Sequence, residues 1–272
     1  MTTTAAAELA LPTAPAPASF GPVRDVAAIT WRNLTVLRRV PRLLVFSTVQ
    51  PLVFVLLFRY VFAGVASGSV PGVPYVDFLM PGVFVQVAVF GAMNTAIGLS
   101  TDLQSGLLER FRSLPMTRSA VLAGRTIADL IRNLFVVTLM VGVGFAVGFR
   151  IHNGLLPFLG GIGLVLLFGF AMAWIFAVLG LAVGDPESTQ AAAFPVLAPL
   201  VFASAAFIPV STMPGWLQGF ASNQPVSVTA EAVRATVLGG PTADHVWHAL
   251  AWYAAIIAVF APLGAWIYHR AR

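Results

Sequence analysis

The chain has 272 residues, of which 58% are hydrophobic and only 9% are charged, and its formal net charge is +5. Soluble domains carry about 25% charged residues, so this composition excludes an ordinary soluble protein and indicates an integral membrane protein. The chain contains no cysteine, which excludes disulfides, thiol catalysis and cysteine metal sites.

All fifteen basic residues are arginine. A phosphate-binding P-loop needs a Gly-Lys-Ser/Thr sequence, so this chain cannot carry a P-loop ATPase site of its own. If ATP drives the protein, another polypeptide hydrolyses it. The arginines are dispersed at the ends of apolar runs, so the positive charge indicates membrane topology and not nucleic-acid binding. The high Arg and Ala content is typical of a GC-rich bacterial genome.

The N-terminal region divides into two parts. Residues 1–19 are mostly Thr, Ala and Pro, which predicts a disordered tail without the features of a signal peptide. Residues 20–272 form one membrane domain, which begins with an amphipathic helix over 22–40. We expect this helix to lie on the membrane surface; the alternative is a cytoplasmic helix that packs on its own protein. Its apolar side holds Val23, Val26, Ile29, Leu34 and Leu37, and its charged side holds Arg24, Asp25, Arg32 and Arg39.

Six apolar runs follow, each long enough to cross about 30 Å of hydrocarbon. They cover about 43–63, 76–100, 127–149, 155–183, 190–211 and 247–268. Arginine-rich segments precede the first run, separate the second from the third and follow the sixth, which by the positive-inside rule places both termini in the cytoplasm. The predicted fold is an all-α polytopic membrane protein with six transmembrane helices. Pro195, Pro199 and Pro209 predict a bent fifth helix.

Polar and small residues inside the runs mark contacts between helices. The polar residues are Gln50, Gln86, Asn94 and Ser204. We expect Gln86 and Asn94 to share one side of a helix; these four residues either line a substrate path or form hydrogen bonds between helices. The glycine pairs at 144 and 148, and at 180 and 184, have the spacing of close helix packing within the chain.

The segment from 212 to 244 is predicted to lie outside, as two short helices that dip into the outer leaflet before the last span. Its candidate gate residues are Asn223, Pro225, Glu231 and Arg234. Glu231 and Arg234 are three residues apart and can pair across one helical turn. The alternative to a gate is a cap that only covers the bundle.

The sequence contains no strong catalytic pattern. Asp244, His245 and His248 could bind a metal, but they lack the His-Glu-x-x-His pattern and lie at a membrane boundary rich in aromatic residues. A nucleophile elbow, an acidic pair within a span and a dinucleotide fingerprint are all missing from the sequence. We therefore predict a protein that is not an enzyme and holds no cofactor or metal.

The internal segment 101–125 is the most charged part between two spans. A glycine, a short amphipathic helix and a proline stop predict a charged projection on the cytoplasmic side, where a solvated loop is the alternative. Its candidate coupling residues are Gly106, Leu107, Leu108, Glu109, Arg110, Phe111, Arg112, Leu114, Pro115 and Arg118.

These features resemble a known family. Asp102, the stretch from Gly106 to Pro115, Arg118 and Gly124-Arg125 resemble the coupling segment of type-2 ABC exporter permeases, in particular the daunorubicin-resistance-like branch. Asn223 and Pro225 through Glu231 and Arg234 form a second match; many members have Asn directly before Pro, whereas Gln224 intervenes here.

The resemblance implies a set of partners and a function. Two permeases, either identical or homologous, would sit above two copies of an ABC ATPase that bind ATP and Mg²⁺ and dock on the 101–125 loop. Cargo, which we expect to be amphipathic drugs, lipids or glycolipids, would pass outward between the permeases across the bacterial cytoplasmic membrane, among membrane lipids. The open alternatives are a polysaccharide exporter, an ATP-independent channel and a membrane-embedded enzyme.

Overall fold

A computed structural model of the chain describes residues 21–39, 41–62, 72–107 and 118–270. This part of the chain is helical, with no strand among the described residues. The predicted tail over 1–19 and most of the first outer loop lie outside it. The α-helices are α1 Pro22–Arg39, α2 Pro41–Leu56, α3 Tyr75–Gln104, α4 Arg118–Ala146, α5 Leu155–Val183, α6 Pro186–Phe202, α7 Gly215–Asn223, α8 Pro225–Leu238 and α9 Thr242–Arg270.

Four helices are long and apolar enough to cross a membrane. Within the described ranges they are Tyr75–Gln104, Ala123–Ala146, Leu155–Val183 and Thr242–Tyr268. The predicted first span is helical from Pro41 to Val61, whereas the predicted fifth span ends early. α2 gives way to a π-helical turn at Leu57–Val61, and α6 ends at Phe202 instead of residue 211. Two prolines, Pro195 and Pro199, lie inside α6, and each removes a backbone donor, which limits its continuation.

Helix α3 is the centre of the bundle. It packs against α5, α6, α4, α8 and α2. Within its most apolar 18-residue stretch, 89% is buried inside the protein. In α9, by contrast, only 17% of the corresponding 18-residue apolar stretch is buried. A long apolar helix with so much exposed surface needs lipid around it, so the chain is a multi-pass membrane protein.

The turn between α5 and α6 is fixed by local capping. Gly184 ends α5 with a positive φ of 78°, which a residue with a side chain rarely adopts. Asp185 then caps α6: its carboxylate accepts a hydrogen bond from the Ser188 N–H at 2.8 Å. That hydrogen bond lowers the pKa of the exposed Asp185 carboxyl. Pro186 is the first residue of α6. A backbone N–H at this position has no partner within the helix, so its absence in proline costs no hydrogen bond.

Helix α1 packs on α4 of its own chain. Ile29 is 4% exposed and lies close to Gly124, and the Thr30 hydroxyl donates to the Gly124 carbonyl at 3.1 Å. Asp25 of the charged side is buried against the protein, whereas Val23 of the apolar side is 81% exposed. Tertiary contact with α4, which the helical pattern alone does not contain, decides which side of α1 is covered.

The two short helices predicted before the last span are confirmed as α7 and α8, and Gly239 ends the second. The glycine pairs have mixed roles. Gly144 and Gly180 are close to Met80 and Ala96, so both serve packing within the chain as predicted. Gly148 and Gly184 instead lie at turns with positive φ.

Candidate functional site

A cavity of about 810 Å³ opens between five helices near the C-terminal end of α3. We call it the charged cavity. Its lining combines three arginines, two aspartates, several amide side chains and apolar residues. The charged members are Arg32 of α1, Asp102 of α3, and Arg125, Asp129 and Arg132 of α4. Helices α2 and α6 complete the walls with Gln50, Gln190 and Phe194.

Asp102 joins three helices at the mouth of this cavity. Its carboxylate forms ion pairs with Arg125 of α4 and, at 3.4 Å, with Arg32 of α1. The side chains of Asp102 and Arg125 are 15% and 16% exposed, so this pair is mostly shielded from water. The carboxylate links α1, α3 and α4, and removing one member of such a shielded pair is costly because it leaves a charge without its partner.

A second ion pair lies deeper, within the membrane-spanning part of α4. Asp129 pairs with Arg132 at 3.0 Å and accepts a hydrogen bond from the Thr95 hydroxyl at 2.5 Å. Arg132 also donates to the Gly91 carbonyl at 2.7 Å. Charges inside a membrane are costly unless they are paired, and here each member has a partner of opposite charge together with a hydrogen bond to α3.

Two glycines of α3 make room for the polar side chains of α4. A Cβ atom at Gly98 would lie 2.6 Å from Cζ of Arg125, and one at Gly91 would lie 2.7 Å from Cγ of Asn133. These separations are shorter than a normal contact, so a larger residue at either position would displace the Arg125 guanidinium or the Asn133 amide from its present place. The two glycines are seven residues apart, which is about two helical turns, and so are Arg125 and Arg132.

Amide side chains and aromatic rings supply the uncharged part of the cavity. Gln50, Asn94, Asn133 and Gln190 offer donors and acceptors, while Phe90 and Phe194 offer flat apolar surface. Such a lining suits a molecule with an apolar body and hydrogen-bonding groups. Among the described residues no group of three or more His, Cys, Asp or Glu side chains could hold a metal ion.

Comparison with known proteins gives the family. The model of the ABC-2 type transporter family matches residues 24–238. This chain belongs to the ABC-2 type transporter family. It is 35% identical over 240 residues to a daunorubicin resistance ABC transporter permease protein of Streptomyces coeruleorubidus, covering 88% of this chain and 84% of that protein.

Two further relatives carry similar names. The chain is 33% identical over 193 residues to a probable doxorubicin resistance ABC transporter permease protein of Mycobacterium tuberculosis, covering 71% of this chain and 70% of that one. It is 23% identical over 211 residues to a probable multidrug ABC transporter permease of Escherichia coli, covering 74% of this chain and 54% of that protein. These relatives are named as permeases, the transport subunits of ABC transporters.

In this ABC-2 family member the predicted coupling residues are only partly described. Gly106 and Leu107 follow the end of α3, directly after the charged cavity. Residues 108–117, which include Leu108 to Pro115, lie outside the described residues. Arg118 is the first residue of α4. The charged cavity therefore lies beside both ends of the predicted coupling segment, through Asp102 on one side and Arg125 on the other.

The four residues predicted for a substrate path fall in different places. Gln50 and Asn94 line the charged cavity. Gln86 is fully buried, and neither its amide oxygen nor its nitrogen has a hydrogen-bond partner among the described residues. Gln86 and Asn94 are separated by about 80° around α3, and the structure gives them different environments, because Gln86 is buried whereas Asn94 is exposed and lines the cavity. The Ser204 hydroxyl instead bonds to the Val201 carbonyl and the Ala206 N–H after α6.

The predicted gate residues lie around α7 and α8. Asn223 ends α7 with its side-chain amide on the Gly219 carbonyl, and Pro225 begins α8. Gln224 between them accepts from the Val226 N–H and donates to carbonyls at the end of α6, so it fastens the two short helices to the bundle. Arg234 bonds to backbone carbonyls and forms no ion pair with Glu231 within the described part of the chain.

Part of the charged cavity was not predicted from the sequence. Asp129, Arg132 and Asn133 were not singled out, although they lie three and four residues apart at the start of a predicted span. Charged residues inside a span are functional candidates by default, so this signal was available. The pairing of Arg32 with Asp102 joins residues 70 positions apart, and no local pattern announces it.

Proposed function

We propose that this chain is the transport subunit of an ATP-driven exporter that moves amphipathic drugs or lipids, including glycolipids, out across the bacterial cytoplasmic membrane. The observation that carries the proposal is the charged cavity, which combines amide and aromatic walls with ion pairs beside the 101–125 segment. The family and the names of the relatives support export of drugs. The absence of lysine from the sequence assigns ATP and Mg²⁺ to a separate ATPase subunit.

The proposed topology has six passes with both termini in the cytoplasm. Four passes are the long apolar helices, and the other two are α2 with its π-helical turn and α6. The distribution of arginine supports this orientation. It places the charged cavity on the cytoplasmic side, where cargo would enter.

The proposed assembly has two permeases, identical or homologous, and two ATPase copies. Exposed apolar side chains lie beside the cavity on α2 and α6: Val53 is 51% exposed, Phe194 55% and Phe202 51%. A second permease on this side would cover them and close the cavity toward the lipid. Each ATPase would dock on the segment between Asp102 and Arg125.

The docking proposal is tested by reversing charges in the coupling segment. The double variant Glu109→Arg with Arg112→Glu should abolish export in cells that also produce the ATPase, because the complementary charges on that subunit would be repelled. The amount of permease in the membrane should stay unchanged, since the segment lies between two spans. Co-purification of the ATPase should fall about tenfold. Normal export by the double variant would rule out this contact.

The cargo role of the cavity is tested by filling it. Asn94→Trp places a large side chain in the cavity from an exposed position of α3, and export should fall about tenfold while ATPase co-purification is unchanged. Leu139→Trp is the matched control, because Leu139 of α4 is 37% exposed and is not part of the cavity lining. Equal export by both variants would show that cargo does not pass through the cavity.

A further inference from the structure

A second pocket, which we call the distal pocket, lies at the opposite end of α3 from the charged cavity. Its volume is about 490 Å³. It is bounded by the first turn of α3, the segment after α6, one side of α8 and the start of α9. The residues that matter for its chemistry are Phe78, Glu231, Arg234, Leu238 and His245.

Arg234 forms the floor of the distal pocket and keeps one donor group unused. Its side chain is almost entirely buried, with Nε donating to the Phe78 carbonyl at 2.9 Å and Nη2 donating to the carbonyls of Ala205 and Ala206. The guanidinium also lies over the Phe78 ring, 3.7 Å from its centre. These contacts fix the cation in place, while Nη1 has no hydrogen-bond partner among the described residues.

Glu231 supplies a separate negative charge in the same pocket. It lies one helical turn before Arg234 on α8 and is partly buried. Within the described ranges, its carboxylate takes part in no ion pair and no side-chain hydrogen bond. A fixed cation and an unpaired carboxylate therefore line one pocket without neutralising each other by direct contact, although burial makes unpaired charges costly.

We propose that the distal pocket binds a zwitterionic phospholipid headgroup that carries a phosphate and a primary ammonium. The phosphate accepts hydrogen bonds from Nη1 of Arg234, and the ammonium donates to the Glu231 carboxylate. Phe78 and Leu238 cover the glycerol part of the lipid. Trp216 follows Ser211 of the pocket lining by five residues, and Trp247 follows His245 by two. These tryptophans are 81% and 69% exposed, which is typical of side chains at the headgroup level of a bilayer.

This assignment distinguishes between headgroups. An ethanolamine headgroup satisfies both charges, whereas a glycerol headgroup supplies the phosphate and leaves Glu231 without a cation. A charge-assisted hydrogen bond of this kind changes affinity by about tenfold. The distal pocket is separate from the charged cavity, so lipid binding there is a function in addition to the proposed export.

The test uses the full chain in detergent and two soluble short-chain lipids, dihexanoyl phosphatidylethanolamine and dihexanoyl phosphatidylglycerol. We expect the ethanolamine lipid to bind about tenfold more tightly, measured by the lipid-dependent rise in the unfolding temperature. Glu231→Gln should lower the affinity for the ethanolamine lipid about tenfold, to the value for the glycerol lipid, whose own affinity should not fall. The matched control is Glu187→Gln, because Glu187 is exposed in the first turn of α6 and should leave the preference intact.

Three outcomes would overturn the proposal. They are equal affinities in the unchanged protein, a preference for ethanolamine that survives Glu231→Gln, and binding of free glycerophosphoethanolamine as tight as that of the lipid, which would indicate a soluble ligand. Because the assay uses no ATPase and no membrane, a negative result leaves the proposed export function and topology to their own tests.

Discussion

Replacing Asp102 by Asn is expected to abolish export while the ATPase still binds. The substitution leaves Arg32 and Arg125 facing each other without the carboxylate that now lies between them. The side chains of this ion-pair cluster are partly shielded from water. We therefore expect the free energy of unfolding to fall by about 2 kcal/mol, between the values for breaking exposed and buried ion pairs. The substitution should weaken the contact between α1, α3 and α4 beside the proposed docking segment.

A double variant separates stability from transmission. Arg125→Gln alone should also destabilise the chain, because it removes one of the two cations paired with the partly shielded Asp102. Asp102→Asn with Arg125→Gln removes the carboxylate and the more shielded of its two cations, and Arg32 is the more exposed of the two at 35%. Its unfolding temperature in detergent should therefore be higher than that of Asp102→Asn alone. If the ion pair transmits movement from the docking segment, this stable double variant still fails to export. Restored export together with restored stability would reduce the pair to a structural role. Asp185→Asn, at an exposed helix cap, is the control for a lost carboxylate.

Composition and hydropathy were sufficient to predict the fold class of this protein. The low charge content predicted a helical membrane protein, and the four long apolar helices lie close to their predicted positions. The short helices before the last span were also predicted, because Pro225 and Gly239 mark the start and end of α8. Local signals of this kind depend on one segment at a time, and so they can be read from sequence.

The charged cavity could not be predicted in the same way. Gly91 and Gly98 look like ordinary glycines of an apolar helix until α4 is placed against them. Asp102 was noted only as part of a family motif, whereas its role depends on Arg32 of another helix. The apolar pattern of α3 is also uninformative, since a central helix is buried on nearly all sides and shows no polar side.

Gly180→Ala is expected to destabilise the bundle, because α3 and α5 form its most extensive contact at this crossing. A Cβ atom at Gly180 would lie 2.9 Å from the carbonyl carbon and Cα of Ala96 and closer still to its carbonyl oxygen. These are backbone atoms of a central helix and cannot rotate away as a side chain can. The two helices must therefore move apart, which we expect to lower the free energy of unfolding by about 1–3 kcal/mol. The unfolding temperature in detergent should fall accordingly.

The matched control for Gly180→Ala lies on the same helix. Gly163 of α5 is exposed, and a Cβ atom there would meet nothing within 4 Å. Gly163→Ala should therefore leave the unfolding temperature unchanged or raise it, because alanine favours a helix by up to about 1 kcal/mol. The difference between the two variants isolates the contact with Ala96 from the loss of helix flexibility that both substitutions share. If both variants unfold at the same temperature, the α3–α5 crossing has room for a methyl group, and close packing at Gly180 does not hold these helices together.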